Sequence, residues 1–279
     1  MKIKAKTGLI VSTVDKASLN MASIFLEKLS HNEEKNLPKP IVKAFFLEKL
    51  DAILAYLPDD VVYLNYLDNI FNVEQYIFLS RHSSLAKIRS LTVHHTGNVA
   101  DEEICGAKPR ELCYTYPPLT RTILLNIDKY AKKYGISKEF EVVYESTHHG
   151  PTSLSKPLVF VEIGSSEEEW VREDAAKVNV EAIIDSLISV RECSSVLGFG
   201  GGHYSRKHTK HVFETNDCYS HIFSKHSSKH LTEELIEQAI SKTLTKIEKF
   251  VIEKKGIPGK VRSIILSYAE KHGYAVEYI

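Results

Sequence analysis

The chain has 279 residues, 43% of them hydrophobic, enough for a large buried core in one large α/β domain or two small ones. Lys plus Arg equals Asp plus Glu at 36 each, which excludes a global cationic field, and no run approaches the roughly 18 apolar residues of a membrane span. Residues 201–279 hold 13 Lys/Arg against 9 Asp/Glu, so a nucleic-acid partner needs a local basic patch there.

Short β-branched or aromatic runs alternate with amphipathic stretches, the pattern of an α/β fold. The basic start Lys2-Ile3-Lys4-Ala5-Lys6 leads into a strand at Leu9-Ile10-Val11 and is not read as a signal peptide. A helix follows over residues 17–29, then a charged loop and an apolar helix from about Ile41 to Leu57. Strands are predicted over 61–66, 76–79 and 91–93. Pro117-Pro118 opens a helix through Tyr134 that Gly135 closes. Strands come next over 140–144 and 158–163. Ser165 and Ser166 each have a glutamate three residues on, which starts a long helix to about Leu187 through a capping box. Residues 195–199 form a further strand, and two helices cover 232–249 and 259–272.

Cys105, Cys113, Cys193 and Cys218 form no C-x-x-C pair and no dense framework, and are read as four inert thiols in a reducing cytosol.

Six of the 13 histidines fall in polar clusters that follow strands. Residues 76–79 end in Ser80-Arg81-His82-Ser83-Ser84, and residues 91–93 in His94-His95-Thr96-Gly97-Asn98. Residues 140–144 end in Glu145-Ser146-Thr147-His148-His149-Gly150-Pro151. Residues 158–161 end in Glu162-Ile163-Gly164-Ser165-Ser166, and residues 196–197 in Gly198-Phe199-Gly200-Gly201-Gly202-His203-Tyr204. In a largely parallel sheet those ends share one edge, where α/β folds place their ligands.

Histidine and glutamate together supply zinc ligands and a base for water. Glu145, His148, His149, Glu162 and His203 are the candidate ligands; His82, His148, Glu162 and His203 are the candidate catalytic groups. Glu162 after an apolar run is buried, and an anion there needs a cation or metal; an arginine partner is the structural alternative. Adjacent histidines on an extended strand point to opposite faces, so one of His94/His95 and one of His148/His149 should face a site unless a loop intervenes. Three glycines before His203 expose backbone N–H groups to a phosphate, an adenosine or an oxyanion. Arg81, Asn98, Gly201, Gly202 and Tyr204 are the candidate substrate-binding residues. Arg81-His82-Ser83-Ser84 is equally well a helix cap with a paired arginine. Trp170 is read as core.

These motifs, taken jointly and in order from about residue 9 to 210, resemble the archaeal and plant type of D-aminoacyl-tRNA deacylase. Asp15-Lys16-Ala17-Ser18-Leu19-Asn20 is similar to that family's first strand–helix junction. The chain departs from the pattern after Tyr204, where Ser205-Arg206-Lys207 replace an expected small residue and proline. The resemblance implies one domain over 1–279, with a three-layer α/β/α fold and a mostly parallel central sheet, like peptidyl-tRNA hydrolases and related phosphorylases. It also implies hydrolysis of the ester joining a D-amino acid to tRNA, two zinc ions, a monomer and a cytoplasmic setting. On this reading His82, His148 and His203, with Glu145 or Glu162, bind metal or act as base. The Gly201 and Gly202 amides then face the oxyanion or terminal ribose, and Arg206, Lys207, Lys210, Lys225 and Lys229 hold the acceptor stem. A zinc aminopeptidase or amidohydrolase, and a non-catalytic tRNA-end-binding module, are the alternatives.

Overall fold

In the computed structural model, which describes residues 2–279, two large sheets carry the fold, beside two two-stranded ribbons. The main sheet contains β1 (Thr7–Ser12), β2 (Lys43–Leu47), β3 (Ala52–Leu57), β4 (Gln75–Ser83), β5 (Ser90–His94), β6 (Glu141–Tyr144) and β7 (Leu158–Ser165). Its order is β6-β5-β7-β4-β1-β3-β2, with Asn32–Glu33 paired at the β2 edge. The second sheet contains β8 (Ser194–Phe199), β9 (Asp217–Phe223), β10 (Ile247–Ile252) and β11 (Ala275–Tyr278), all parallel in the order β9-β8-β10-β11.

The helices are α1 (Lys16–Lys28), α2 (Pro117–Lys133), α3 (Glu167–Trp170), α4 (Glu173–Ile188), α5 (Arg206–Glu214), α6 (Glu233–Ser241) and α7 (Gly259–His272). Local chemistry sets their ends. Asp15 caps α1 by accepting from the Ser18 amide at 3.0 Å. Pro117 and Pro118 occupy the first turn of α2, and Gly135 takes a left-handed φ of +76° just past its end. Ser166 and Glu169 form the capping box of α3. The predicted long helix is interrupted between Trp170 and Glu173 and resumes as α4.

One face of the main sheet packs on α1, α2 and α4 through Met21, Phe25, Ile123, Ile183, Leu79 and Val161. The second sheet is the middle of three layers. Val196, Tyr219 and Val251 face the core that holds α2 and α5; Leu197, Phe199 and Phe250 pack on α6 and α7. The architecture is α/β with mostly parallel pairing. No helix of the described residues is long and apolar enough to cross a membrane.

Four expectations change. Residues 41–57 form the antiparallel hairpin β2–β3, not a helix, turning through Asp51 at φ +47°. The run is apolar on both faces because β3 is buried on both, which a helical period mimics. Residues 61–63 and 67–69 are 3₁₀ turns, not a strand. The 232–249 segment breaks after Ser241 and enters β10, whose Phe250, Val251 and Ile252 are fully buried. Cys193 and Cys218 are bonded as a disulfide, Cα atoms 5.9 Å apart, because β8 and β9 pair side by side; Cys105 and Cys113 are free.

Candidate active site

Strand direction assembles the site. β7 runs parallel to β4, with Gly164 beside His82, but antiparallel to β5, with Phe160 beside His94. The expected single edge of strand ends therefore does not exist. His94 at the end of β5, His148 and His149 after β6, and His82 on β4 meet over one sheet face instead. Alternation decides which side chains reach it. On that face β4 presents Tyr76, Phe78, Ser80 and His82, and β7 presents Leu158, Phe160, Glu162 and Gly164. The first two of each set belong to an apolar core with Ile10 and Leu154. The later ones turn the same face polar. Gly164 has a specific reason: a Cβ there would lie 2.8 Å from the His82 ring, so its absence lets the imidazole lie over the sheet.

Two buried carboxylates stand at the centre. Glu145 Oε1 lies 3.0 Å from His82 Nδ1, and Glu145 Oε2 lies 2.9 Å from His203 Nε2 and 3.5 Å from His148 Nε2. Glu162 Oε2 is 3.5 Å from His82 Nδ1, 3.6 Å from His94 Nε2 and 3.5 Å from Thr92 Oγ1. Burial alone raises both carboxyls, but His203 and His82 hold Glu145 well below the usual range. For Glu162, burial and the Glu145 charge raise the carboxyl, and His82 and His94 override them to lower it. Burial lowers His82, yet Glu145 and Glu162 push it up to about 11. His94 is likewise raised by Glu162 against burial. His148 and His149 are lowered by burial and by the neighbouring His94, His149 to about 4.

The donor set fits a metal. His94, His148 and His149 bring one ligand atom each within 4.8 Å of one another, as do His82, Glu145 and His203. Nδ1 of His94, His148 and His149 lies 3.2, 2.8 and 2.7 Å from the carbonyls of His95, Ser146 and Gly150. An Nδ1–H donated there leaves each Nε2 lone pair for an ion, the usual outer-shell arrangement of ligating histidines. The two Glu145 oxygens are close to imidazoles, but none of these contacts has hydrogen-bond direction. They and His94 Nε2 are buried polar atoms without a hydrogen-bond partner.

The cluster opens into a cavity of about 920 Å³ lined by His148, His149 and His203 on one side. His203 has 43% of its side chain exposed and His148 30%, whereas Glu145 has none. The histidines face the cavity and the carboxylates lie behind them.

Of the sequence candidates, His82, Glu145, His148, His149, Glu162 and His203 come together here. Tyr204 joins them, its hydroxyl 2.9 Å from His82 Nε2. Both members of His148-His149 face the cluster because His149 adopts a left-handed φ of +37°, which breaks strand alternation. Gly201 and Gly202 line the cavity, but Gly201 turns its amide nitrogen toward Gly256, 2.6 Å from where a Cβ there would stand. Asn98 lines the cavity and spends its amide on the Glu102 and Ala107 carbonyls. Arg81 stands apart. As the strand neighbour of His82 it faces the other side, where it pairs with Asp60 at 2.6 Å and Asp15 at 3.6 Å, over the Trp170 ring. Trp170 Nε1 in turn donates to the His82 carbonyl at 2.9 Å.

His94 is the ligand candidate that sequence reasoning left unassigned. Alternation requires one of His94 and His95 to face the site, and the register opposite Phe160 selects His94. His95 points away, with Nδ1 2.6 Å from the Ser220 carbonyl and Nε2 2.8 Å from Thr120 Oγ1. Among the proposed acceptor-stem residues, Lys225 and Lys229 line the cavity. Arg206, Lys207 and Lys210 instead pair with Glu141, Glu253 and Glu214.

A family model described as D-aminoacyl-tRNA deacylase matches residues 70–277. The chain belongs to the D-aminoacyl-tRNA deacylase family. It is 40% identical over 275 residues to the D-aminoacyl-tRNA deacylase of Staphylothermus marinus, covering 98% of this chain and 99% of that one. It is 41% identical to the enzyme of that name from Hyperthermus butylicus (97% and 99% covered), and 32% identical to that of Pyrococcus furiosus (95% and 97%). The fold also matches the crystal structure of a conserved protein of unknown function, with TM-score 0.89 and 28% identity over 98% of this chain and 95% of that chain. The family's match spans each residue of the cluster at the cavity floor.

Proposed function

We propose that this protein hydrolyses the ester of D-aminoacyl-tRNA, releasing the free D-amino acid and tRNA. Family membership supports the activity. The observation that carries the mechanism is the pair of buried carboxylates ringed by histidines at the floor of an open cavity.

In this reading His94, His148 and His149 hold one zinc ion, and His82, Glu145 and His203 hold a second. Zinc bound there supplies a Lewis acid and a water of lowered pKa. The chain's own residues do the rest. Glu162 Oε2 lies within 3.6 Å of one donor atom from each set, placed to accept the proton of the attacking water. Tyr204 and Trp170 fix His82 from its ring and from its backbone. The Gly202 amide faces the oxyanion of the tetrahedral intermediate, which collapses as Glu162 returns its proton to the departing ribose oxygen. The cluster draws on β4, β5, β7 and the loop after β6 of the main sheet and on the loop after β8 of the second, which favours one domain. A monomer in the cytoplasm completes this reading, since its substrate is a tRNA.

The test is deacylation of matched D- and L-aminoacyl-tRNA, with and without a chelator. Hydrolysis selective for the D-ester and lost to the chelator is expected. Equal turnover of both isomers, or full rates without metal, contradicts the reading.

A further inference from the structure

The cavity above the histidines has two unlike walls. One is basic. Lys225, Lys229 and Lys255 line it, and none of them has a carboxylate partner among the described residues; Glu253, also on this wall, is engaged by Lys207 at 3.4 Å. The wall is tied to the glycine turn before His203, because the Lys225 amide donates to the Gly201 carbonyl at 2.8 Å. Gly200, at φ +103°, packs against Gly256 so closely that a Cβ would lie 3.1 Å from the Gly256 Cα. This contact of glycines brings the 200–202 and 253–256 turns together beside His203.

Another stretch of the lining is uncharged. Val99, Ala100 and Ile104 line it, and Ile104 is 46% exposed although it is large and apolar. That exposure is built, not loose. Asn98 closes the loop by donating to the Glu102 and Ala107 carbonyls and accepting from the Ala100 amide at 2.9 Å. Ile104 and Ala107 exchange backbone hydrogen bonds of 3.1 and 2.9 Å. Gly106, at φ +74°, sits where a Cβ would fall 2.1 Å from the Val62 carbonyl oxygen. Val99 anchors the loop in the core with Leu112 and Leu235. The loop thus holds Ile104 against the cavity.

An aminoacylated 3′ end has the same asymmetry. Phosphodiesters lie on one side of the ester and an amino-acid side chain on the other. We infer that the substrate lies across the cavity in one orientation, its terminal phosphodiesters on Lys225, Lys229 and Lys255 and its aminoacyl side chain on Val99, Ala100 and Ile104. This rests on the deacylase reading above and adds to it the two subsites and the direction of the chain between them. It makes Asn98 a positioning residue for the side-chain wall. It also makes Ile104 a determinant of which D-amino acids are preferred, with large apolar side chains favoured.

The test uses the full-length protein with two kinds of D-ester: D-aminoacyl-tRNA, and the 3′-D-aminoacyl ester of adenosine, which carries no phosphate. The triple variant Lys225→Ala/Lys229→Ala/Lys255→Ala should raise KM for the tRNA ester and flatten its log–log salt dependence by about 2, at roughly 0.7 per single-strand phosphate released. It should leave hydrolysis of the adenosine ester unchanged. Ile104→Ala should lower kcat/KM for D-phenylalanyl-tRNA on the order of 10-fold, with D-alanyl-tRNA unaffected, as expected for a truncated apolar subsite. The altered side chains are exposed, so the variants should fold. If the triple variant slows both esters equally, or Ile104→Ala slows both tRNAs equally, the orientation is wrong while the deacylase reading stands. Wild-type protein that hydrolyses neither ester removes that reading and the orientation together.

Discussion

Two sets of histidines that composition does not distinguish stand in contrast. His82, His94, His148, His149 and His203 converge on Glu145 and Glu162 beside a cavity. His95, His208 and His221 are as deeply buried but face backbone carbonyls, hydroxyls and aromatic rings: Ser220 and Thr120, Tyr219, and Thr147 and Cys113. Burial, with neighbouring cations, drives this second group down, His95 to about 4 and His208 to about 3, as it does His148 and His149. In the first group, carboxylates lift His82 and His94 against the same burial. The decisive feature is a pair of buried carboxylates shared among several imidazoles; Asp217 and Glu277, the carboxylates beside the buried His211, are instead paired with Lys249.

That contrast breaks most readily at Glu162. Glu162→Gln keeps the shape but cannot take the proton, and deacylation should fall on the order of 10²–10⁴-fold, the range of a lost general base. Metal content and the unfolding midpoint measured alongside should stay near wild type. Unchanged turnover would remove Glu162 from the chemistry.

A smaller effect is expected where the site depends on a neighbour's lack of a side chain. Gly164→Ala places a methyl group 2.8 Å from the His82 ring. The imidazole must move off Glu145, and kcat should fall by about 10²-fold, typical of a misplacement near 1 Å. A crystal structure of the variant with His82 in its original place and full activity contradicts this.

The smallest effect belongs to the packing population and appears in stability. His208 is held below its unfolded value of 6.5, so the unfolded chain binds the extra proton between pH 6.5 and about 3. Its contribution is complete above pH 6.5 and is lost as pH falls toward 3. His208→Leu should flatten the acid limb of a urea-midpoint profile by up to about 1.4 kcal/mol per pH unit, with turnover unaltered. Both His208 nitrogens lack hydrogen-bond partners, so the apolar replacement strands no other group.

The strands that carry the site were legible because Tyr76–Leu79, Leu91–Val93 and Leu158–Ile163 are short apolar runs, each ended by polar residues. Their relative direction was not. Nothing in the residues of β5 says that it runs against β7, and that choice moves the site from an edge to a face. Residues 41–57 failed for a related reason: Ala44, Leu47, Ile53, Leu54 and Ala55 are buried on both sides of a hairpin, and a two-sided apolar run carries no period to read. At the site, Glu162 was legible as an anion after an apolar strand. Arg81 was misleading, since its strand position next to His82 sends it to the opposite face. The Cys193–Cys218 bond was invisible because residues 206–223, which form α5 and β9 and bring the two cysteines together, were not resolved into elements.

The adjacent pair His94 and His95 places one member in each population, two side chains pointing to opposite faces of one strand. The deacylation rate of His94→Ala against His95→Gln, each checked for folding and bound metal, therefore tests the division most directly. His94→Ala should lose metal and at least about 10²-fold in rate, as for a removed ligand or its support, while His95→Gln keeps both. Equal loss in the two variants, or activity retained without His94, would contradict the account.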